Sequence, residues 1–111
     1  MLSNDQIQAA VDRLVMAAHA PSQVILFGSY ARGDADEKSD VDLLVIEEEA
    51  PADPGEEWMR LCDAVGRLAP GVGLDLLLHS RQAFERRSQV PGTVLYSAKR
   101  EGRVLFDVAS R

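Results

Sequence analysis

Apolar side chains in the first part of the chain recur at helical spacing and then gather into a short continuous run. Residues 5–19 carry them at intervals of three and four, which predicts an amphipathic helix capped by Ser3 or Asn4 and ended by Pro21. The apolar members of this stripe are Ile7, Ala10, Val11, Leu14, Val15 and Ala18. The run QVILF at residues 23–27 is rich in branched side chains and predicts a buried strand.

The middle of the chain predicts two more strands, separated by a helix. Residues 41–46 predict the second strand, and residues 72–78, apolar except at Asp75, predict the third. The acidic stretch EEEAPADPGEE at residues 47–57 predicts an exposed connection. A second helical stripe then runs to the Pro-Gly pair near residue 70, with apolar members Trp58, Leu61, Cys62, Val65 and Leu68, which we expect to face the core.

The last third of the chain predicts two short helices and a final extended segment. Ser80 is placed to cap a helix over residues 81–87, and residues 92–100 predict another helix with Gly102 as its C-cap. Residues 104–106 then form a short segment of strand character. The order helix, strand, strand, helix, strand, helices predicts an α/β fold, a small mixed sheet flanked by helices, as one domain over residues 1–111.

Composition and charge narrow the class of protein. The chain has an ordinary globular balance, with 46% hydrophobic and 27% charged residues. It contains no apolar run long enough to span a membrane, and its first residues lack a signal-peptide pattern, so we expect a cytoplasmic protein. The net charge of −6 argues against stable nucleic-acid binding, but metal ions can supply local positive charge for a nucleotide. The single cysteine, Cys62, is expected to be a buried thiol.

Three aspartates are candidates for a metal site. Asp40 and Asp42 are two residues apart at the start of a predicted strand, so their carboxylates point to one face and repel each other unless a cation lies between them. Oxygen ligands of this kind suit Mg²⁺ or Mn²⁺. A solvated strand start is the alternative. Asp75 is expected to be costly among leucines unless it is paired, metal-bound or at a sheet edge with access to water. If its strand lies beside residues 41–46, the three carboxylates suffice for a two-metal site.

The segment before these aspartates has the features of a phosphate-binding turn. Gly28 permits a tight turn and a close approach of the backbone, and residues 29–32 predict the start of a short helix whose N–H groups can hold phosphate oxygens. The Ser29 hydroxyl adds a donor, and Arg32 can neutralise phosphate charge. Gly-Ser turns are also common without any ligand.

Taken together, these residues resemble a known signature. The segment GSYARGDADEKSDVDLLV is similar to that of the DNA polymerase beta-like nucleotidyltransferase superfamily, in which Gly-Ser, a ten-residue spacer and Asp-x-Asp precede a third aspartate on a later strand. The matching positions here are Gly28, Ser29, Asp40, Asp42 and Asp75. The compact length and the ending TVLYSAKREGRVLFD resemble the minimal nucleotidyltransferases, the MNT or MntA-like antitoxins.

The resemblance implies a function. It implies transfer of AMP from ATP to a protein hydroxyl, a tyrosine of a HEPN-domain ribonuclease toxin, by the antitoxin of a type VII-like toxin–antitoxin pair. It also implies two Mg²⁺ ions (Mn²⁺ as the alternative) held by Asp40, Asp42 and Asp75, with Asp75 also able to accept the hydroxyl proton, and triphosphate binding by Gly28 and Ser29. Two alternatives stay open: a non-catalytic antitoxin that masks its toxin, and a nucleotidyltransferase subunit that acts on RNA or a small molecule.

Overall fold

A mixed four-stranded sheet forms the centre of the protein, as seen in a computed structural model that describes residues 1–110. The strands are β1 (Pro21–Phe27), β2 (Val41–Glu47), β3 (Leu74–Ser80) and β4 (Arg103–Asp107). Their order across the sheet is β3-β2-β1-β4. Strand β1 runs antiparallel to both of its neighbours, while β2 and β3 are parallel. The predicted small mixed sheet is therefore confirmed.

Five α-helices surround this sheet within the described residues. They are α1 (Asn4–Ala17), α2 (Gly28–Arg32), α3 (Pro54–Val65), α4 (Arg81–Arg87) and α5 (Val94–Glu101), and a 3₁₀ turn follows at Val108–Ser110. The prediction for α4 matches the structure residue for residue, including the Ser80 cap, whose hydroxyl accepts from the Ala83 N–H. Helix α5 begins two residues later than predicted, because the Thr93 side chain caps it, and Gly102 follows its last residue as predicted.

Apolar side chains pack on both faces of the sheet. One face of the sheet lies against α1 and α3. The core between them includes the fully buried residues Leu14, Val24, Leu43, Val45 and Leu61. The other face lies under α4 and α5 and is built from Ile25, Leu44, Ile46, Phe84, Leu95 and Ala98. Because successive side chains of a strand alternate between faces, β2 supplies both cores and is buried almost throughout.

The start of α1 agrees with the prediction, but its end does not. Ser3 and Gln6 form a reciprocal capping box, in which each side chain bonds the other residue's backbone N–H. The helix ends at Ala17, where the next residue turns extended with ψ 144°. Pro21, predicted to end the helix, instead begins β1, because its fixed φ suits an extended chain as well as a helix stop.

Helix α3 starts earlier and ends earlier than predicted. Its first turn lies inside the predicted exposed connection at residues 47–57, because the Asp53 carboxylate caps it and Pro54 occupies its first position. It ends at Val65, because Gly66 has a positive φ of 67° and terminates the hydrogen bonding. The connection is therefore shorter than predicted, and the two glutamates at its ends, Glu47 and Glu57, are buried.

Two side chains of the predicted α3 stripe do not lie in the core as expected. Trp58 is 43% exposed, and its indole Nε1 donates to the Leu76 carbonyl oxygen at 2.6 Å. The Trp58 ring covers the edge strand β3 and is partly exposed to water. Cys62 is half-buried rather than buried, and burial together with the negative charge of Asp63 raises the pKa of its thiol.

Within residues 1–110, no helix is both long enough and apolar enough to cross a membrane.

Candidate active site

Asp42 and Asp75 are brought together by the parallel pairing of β2 and β3. They are direct register partners, each the second residue of its strand. Because side chains alternate, both carboxyls lie on the face that continues through Leu44 and Leu77 toward α4 and α5. The adjacency that the sequence left conditional is thus present, and it places two carboxyl groups within hydrogen-bonding reach of each other.

The environment of Asp42 opposes its negative charge. Burial raises the pKa of this carboxyl to about 6, with further contributions from the hydrogen bond to Asp75 and from the charges of Asp75 and Asp40. The Arg32 guanidinium acts in the other direction but does not offset them. A cation placed between the two carboxylates would offset their mutual repulsion and so stabilise their ionised forms.

Asp75 does not face the desolvation cost that its leucine-rich surroundings predicted. The Asp75 side chain is exposed because β3 is an edge strand of the sheet, and most residues of β3 are only partly buried. The alternative of an edge position with access to water is therefore the correct description of Asp75. Its exposure also leaves it open to a second molecule that approaches from the side of β3.

Asp40 lies just before β2 and is held by the segment that leads into β3. The Gly73 N–H donates to Asp40 Oδ1 at 3.1 Å, and the Gly73 carbonyl accepts from the Val41 N–H at 2.9 Å. Asp40 is exposed. The three predicted acidic residues therefore lie at one end of the sheet, with Asp42 paired to Asp75 and Asp40 bonded to backbone.

The Gly-Ser turn directly adjoins this pair. Gly28 follows the end of β1 with a φ of 72°, and a Cβ built on it would overlap the Asp42 Oδ2 atom. Glycine is therefore required there both by the left-handed backbone and by the close approach of the carboxylate. Ser29 lies in the first turn of α2, which has no side-chain cap at its N-terminus.

Arg32 lies at the end of α2 and is already engaged. Its Nε is 3.3 Å from Asp34 Oδ2, and its Nη1 is 3.9 Å from Glu101 Oε2. About half of its side chain is exposed, so these surface ion pairs are weak and can exchange for another anion.

Two cavities lie beside α5, one lined in part by Gly28 and the other in part by Leu77 of β3. One of about 290 Å³ is lined by Phe27, Gly28, Arg32, Gly92, Thr93, Val94, Ser97 and Glu101. The other, about 390 Å³, is mostly apolar and runs along β3 past Leu77 and His79. Both include Thr93 and Val94 in their walls, so they meet at the start of α5. Burial and the nearby Arg87 lower the pKa of His79.

Three residues near the site were not predicted from the sequence: Gly73, Thr93 and Ser97. Gly73 has a recognisable signal, a glycine two residues before an aspartate in a predicted strand. Thr93 and Ser97 have none, because hydroxyl side chains near a helix start usually serve as caps, and Thr93 does so here. Their position beside Gly28 depends on the packing of α5 over β1.

The donor set fits a hard divalent cation. Within the described part of the chain, no three acidic, histidine or cysteine side chains converge as a complete metal cluster. Mg²⁺, however, is usually bound by one or two carboxylates and completed by substrate phosphates and water. The Asp42–Asp75 pair supplies such carboxylates, and the Gly-Ser turn packs at Gly28 directly against the Asp42 carboxylate.

Comparison with known proteins identifies the family of the chain. A family model described as "Nucleotidyltransferase domain" matches residues 6–102. Two relatives from Methanocaldococcus jannaschii are each described as a "Putative protein adenylyltransferase". One is 33% identical over 85 residues, or 76% of this chain and 77% of the relative. The other is 69% identical over 29 residues, which is 26% of this chain and only 29% of that relative.

Solved structures share the fold at low sequence identity. A "putative nucleotidyltransferase" from Sulfolobus solfataricus superposes with a TM-score of 0.64 at 16% identity, covering 95% of this chain and 80% of that one. A toxin–antitoxin structure with AMP-PNP gives a TM-score of 0.61 at 20% identity, covering 98% and 77%. A complex of tri-AMPylated Shewanella oneidensis HEPN toxin with MNT antitoxin gives 0.56 at 16% identity, covering 98% and 76%.

The family match covers most of the chain, and the structural neighbours repeat its fold over nearly all of it. The chain therefore belongs to the nucleotidyltransferase domain family and is a nucleotidyltransferase.

Proposed function

We propose that this nucleotidyltransferase transfers AMP from ATP to a protein hydroxyl, and that the acceptor is a tyrosine of a HEPN-domain toxin which it neutralises as an antitoxin. The observation that carries the proposal is the pairing of Asp42 with Asp75 directly beside Gly28. The relatives described as protein adenylyltransferases, and the similarity to a complex of AMPylated HEPN toxin with MNT antitoxin, support the choice of AMP and of a protein acceptor.

The Gly-Ser turn is the proposed site for the triphosphate. Gly28 permits the tight turn that brings the backbone against the Asp42 carboxylate. Beside it, the Ser29 hydroxyl and the N–H groups of the first turn of α2, which has no side-chain cap, are the proposed donors to the phosphates. Arg32 is within reach of the same cavity and exchanges its surface ion pairs for phosphate charge. Together these residues orient the β- and γ-phosphates, with the α-phosphate toward Asp42.

Asp40, Asp42 and Asp75 are the proposed ligands of two Mg²⁺ ions, with Mn²⁺ as the alternative. Bound there, such ions supply Lewis-acid stabilisation of the phosphate charge and lower the pKa of a bound hydroxyl. The carboxylates themselves neutralise the ions and fix their place next to the triphosphate. A nearby cation also reverses the effect that burial has on the pKa of Asp42.

The transfer step forms one bond and breaks one bond. The acceptor hydroxyl oxygen attacks the α-phosphorus, and the bond from that phosphorus to the oxygen bridging to the β-phosphorus breaks. Pyrophosphate leaves with the electron pair of the broken bond, and the hydroxyl proton passes to the Asp75 carboxylate and from there to water. The exposure of Asp75 on β3 lets a macromolecular acceptor reach this position.

The direct test is mass spectrometry of the toxin. The cognate HEPN toxin is incubated with the chain, ATP and Mg²⁺, and we expect its mass to rise by whole AMP groups, located on tyrosine by peptide mapping. Asp42→Asn should lower the transfer rate by about 100-fold or more, the scale of losing one preorganised electrostatic contact to the transition state. Asp63→Asn, an exposed aspartate on α3, is the matched control and should transfer at the wild-type rate.

Three outcomes would decide against the proposal. Wild-type chain that leaves an active toxin without AMP would exclude protein adenylylation. An Asp42→Asn variant that still neutralises the toxin at equal stoichiometry would favour a masking antitoxin. Labelled nucleotide that enters RNA instead of protein would favour the other alternative, a nucleotidyltransferase subunit that acts on RNA.

A further inference from the structure

Gly73 has a backbone conformation that any residue can adopt, yet there is no room for a side chain. It is not among the glycines with positive φ. A Cβ built on it would lie 2.5 Å from Asp40 Oδ1 and 3.0 Å from Asp40 Cγ. Real Cβ atoms do not approach another atom that closely. A side chain at this position would therefore require the Asp40 carboxylate to move from its place beside Gly73.

The same glycine forms hydrogen bonds with the Asp40 side chain and with the backbone of the next residue. Its N–H donates to Asp40 Oδ1 at 3.1 Å, and its carbonyl accepts from the next residue, Val41, at 2.9 Å. One oxygen of Asp40 is thereby committed to a backbone donor. Carboxylates that bind metal are commonly oriented by such a hydrogen bond to one oxygen, which fixes the direction of the other.

We propose that Gly73 is a positioning residue for the divalent cation, which holds Asp40 by one carboxylate oxygen and so directs the other toward the metal. The inference rests on the proposed function, because it assigns a metal to Asp40. Gly73 itself touches neither metal nor nucleotide. It acts through Asp40 and through the close fit that only a missing side chain allows.

The test is Mn²⁺ binding followed by electron paramagnetic resonance in the presence of AMP-PNP. Gly73→Ala adds one methyl group against Asp40 and should weaken Mn²⁺ binding by about 10- to 100-fold, the usual effect of losing such a supporting contact. Gly55→Ala is the matched control, because a Cβ there meets nothing closer than 3.6 Å, and it should bind Mn²⁺ like the wild type. Asp40→Asn should show a loss at least as large as that of Gly73→Ala.

The failure of this inference differs from the failure of the proposed function. If the wild type binds no Mn²⁺ with AMP-PNP, the proposed metal site itself is wrong. If the wild type binds and Gly73→Ala binds within twofold of it, the positioning role is overturned. Should Gly73→Ala not fold, the Gly73 amide resonance of the wild type serves instead: it should shift on addition of Mg²⁺ with AMP-PNP, and an unchanged resonance overturns the role.

A second, independent observation concerns two buried glutamates at the opposite end of β2. Glu47 ends that strand and is 1% exposed, and Glu57 lies in the first turns of α3 and is 3% exposed. Glutamates are almost never buried to this extent unless they are paired. The proposed transfer reaction uses neither of them.

Each of these glutamates has one satisfied oxygen. Glu47 Oε2 accepts from the His19 backbone N–H at 3.1 Å. Glu57 Oε1 accepts from Arg60 Nη2 at 2.6 Å and lies 3.4 Å from His19 Nε2. The other two oxygens, Glu47 Oε1 and Glu57 Oε2, are buried and accept no hydrogen bond from an N–H or O–H donor of the described residues, and the two carboxyls are within hydrogen-bonding reach of each other. Two carboxyl groups bond in this way only when one of them carries a proton.

We infer that Glu47 and Glu57 share one proton, and that the hydrogen bond between their carboxyl groups connects the start of α3 to the end of β2. When the proton leaves, this hydrogen bond is lost and the connection between the helix and the strand weakens. Burial and the neighbouring Glu57 raise the pKa of Glu47 to about 7, which places the loss of the proton in the physiological range. Although burial works against it, hydrogen bonds from Glu47 and Arg60 lower the pKa of Glu57, so it is the ionised member.

The charged groups around the pair come from every adjoining segment. Arg60 and the imidazole of His19 face Glu57. A cavity of about 650 Å³ lies outside the pair, and the other charged side chains that line it are acidic. Those acidic residues are Glu49, Asp53 and Glu56. Next to them, Glu48 is bonded to Arg81 of α4 at 3.1 Å. A second negative charge on Glu47 would therefore meet repulsion on most sides.

The fluorescence of Trp58 can report on this connection between α3 and β2. Trp58 is the only tryptophan of the chain, it follows Glu57 directly, and its Nε1 bonds Leu76 on β3. Its fluorescence, followed between about pH 5 and pH 9, should change in one step centred near pH 7. Glu47→Gln imitates the protonated carboxyl and should abolish that step, while Glu49→Gln, an exposed neighbour on the same cavity, should retain it.

Other groups that titrate nearby are separated by further variants. His19→Gln keeps the backbone donor to Glu47 and should keep the step, as should Asp42→Asn at the far end of the strand. A step that survives unchanged in Glu47→Gln overturns the inference. If that variant does not fold, the ¹³C resonance of the wild-type Glu47 carboxyl decides: a midpoint near 7 supports the shared proton, and a midpoint at the ordinary glutamate value overturns it.

Discussion

Asp42 and Asp75 face each other as register partners on two parallel strands, and they do so at the point where β1 gives way to the Gly-Ser turn. Two residues that are 33 positions apart thereby form one pair of carboxyls in hydrogen-bonding contact. Two carboxylates this close repel each other, so a proton or a cation between the two groups stabilises the pair. This relationship underlies both the proposed chemistry and the pH behaviour of the fold.

The first prediction concerns pH. The pKa of Asp42 rises from 3.8 to about 6 on folding, so between these values the folded chain holds a proton that the unfolded chain has released. This group therefore makes the free energy of unfolding fall as pH rises through that window. Asp42→Asn should remove this part of the slope and be at least as stable as the wild type at pH 8. Chemical denaturation at several pH values measures how the free energy of unfolding depends on pH in both proteins. A steeper fall with pH in the variant than in the wild type would contradict the prediction.

The second prediction concerns the glycine of the turn. Gly28→Ala should destabilise the fold by about 1–2 kcal/mol through the left-handed backbone alone, and by more through the overlap with Asp42. Nucleotide transfer should fall with it, because the displaced carboxylate is one of the proposed metal ligands. Thermal unfolding and AMP-PNP binding measure the two effects. Gly55→Ala lies in helix α3, so it should not destabilise the fold and should leave AMP-PNP binding unchanged. An intact nucleotide affinity in Gly28→Ala would argue against phosphate binding at this turn.

The third prediction concerns the tryptophan that covers β3. Trp58→Phe keeps an aromatic ring but loses the hydrogen bond to the Leu76 carbonyl, which should cost about 1 kcal/mol. Amide hydrogen exchange along β3 should accelerate in this variant, and little elsewhere. Met59→Leu, at a neighbouring exposed position, is the matched control and should exchange like the wild type.

The fourth prediction concerns the core under α4 and α5. Leu44 is fully buried on the same face as Asp42, and Leu44→Ala should lower the free energy of unfolding by about 2–5 kcal/mol. Met16→Ala removes a side chain of similar size that is 88% exposed and should change it by about 0.5 kcal/mol or less. Urea denaturation of both variants measures the difference, and equal losses would contradict the assigned burial.

The local pattern of the chain was sufficient for most of the elements. The apolar spacing of α1 and the branched run of β1 predict their type, since each depends on neighbours within a few residues. Ends were predicted where a cap was visible, as at Ser3 and Ser80, and missed where a weaker signal acted. The start of α3 at Asp53 and Pro54 was missed because acidic and proline residues also mark exposed loops.

The sequence was sufficient to predict the acids and the turn of the candidate site, because their spacing resembles that of a nucleotidyltransferase. The parallel pairing of β3 with β2, which places Asp75 beside Asp42 and leaves Asp75 open to water, depends on the tertiary structure. The tertiary structure also brings the Gly73 N–H into hydrogen-bonding contact with Asp40, and the buried carboxyl of Glu47 next to that of Glu57. Such contacts join distant residues, and their energies depend on burial, which no local pattern encodes.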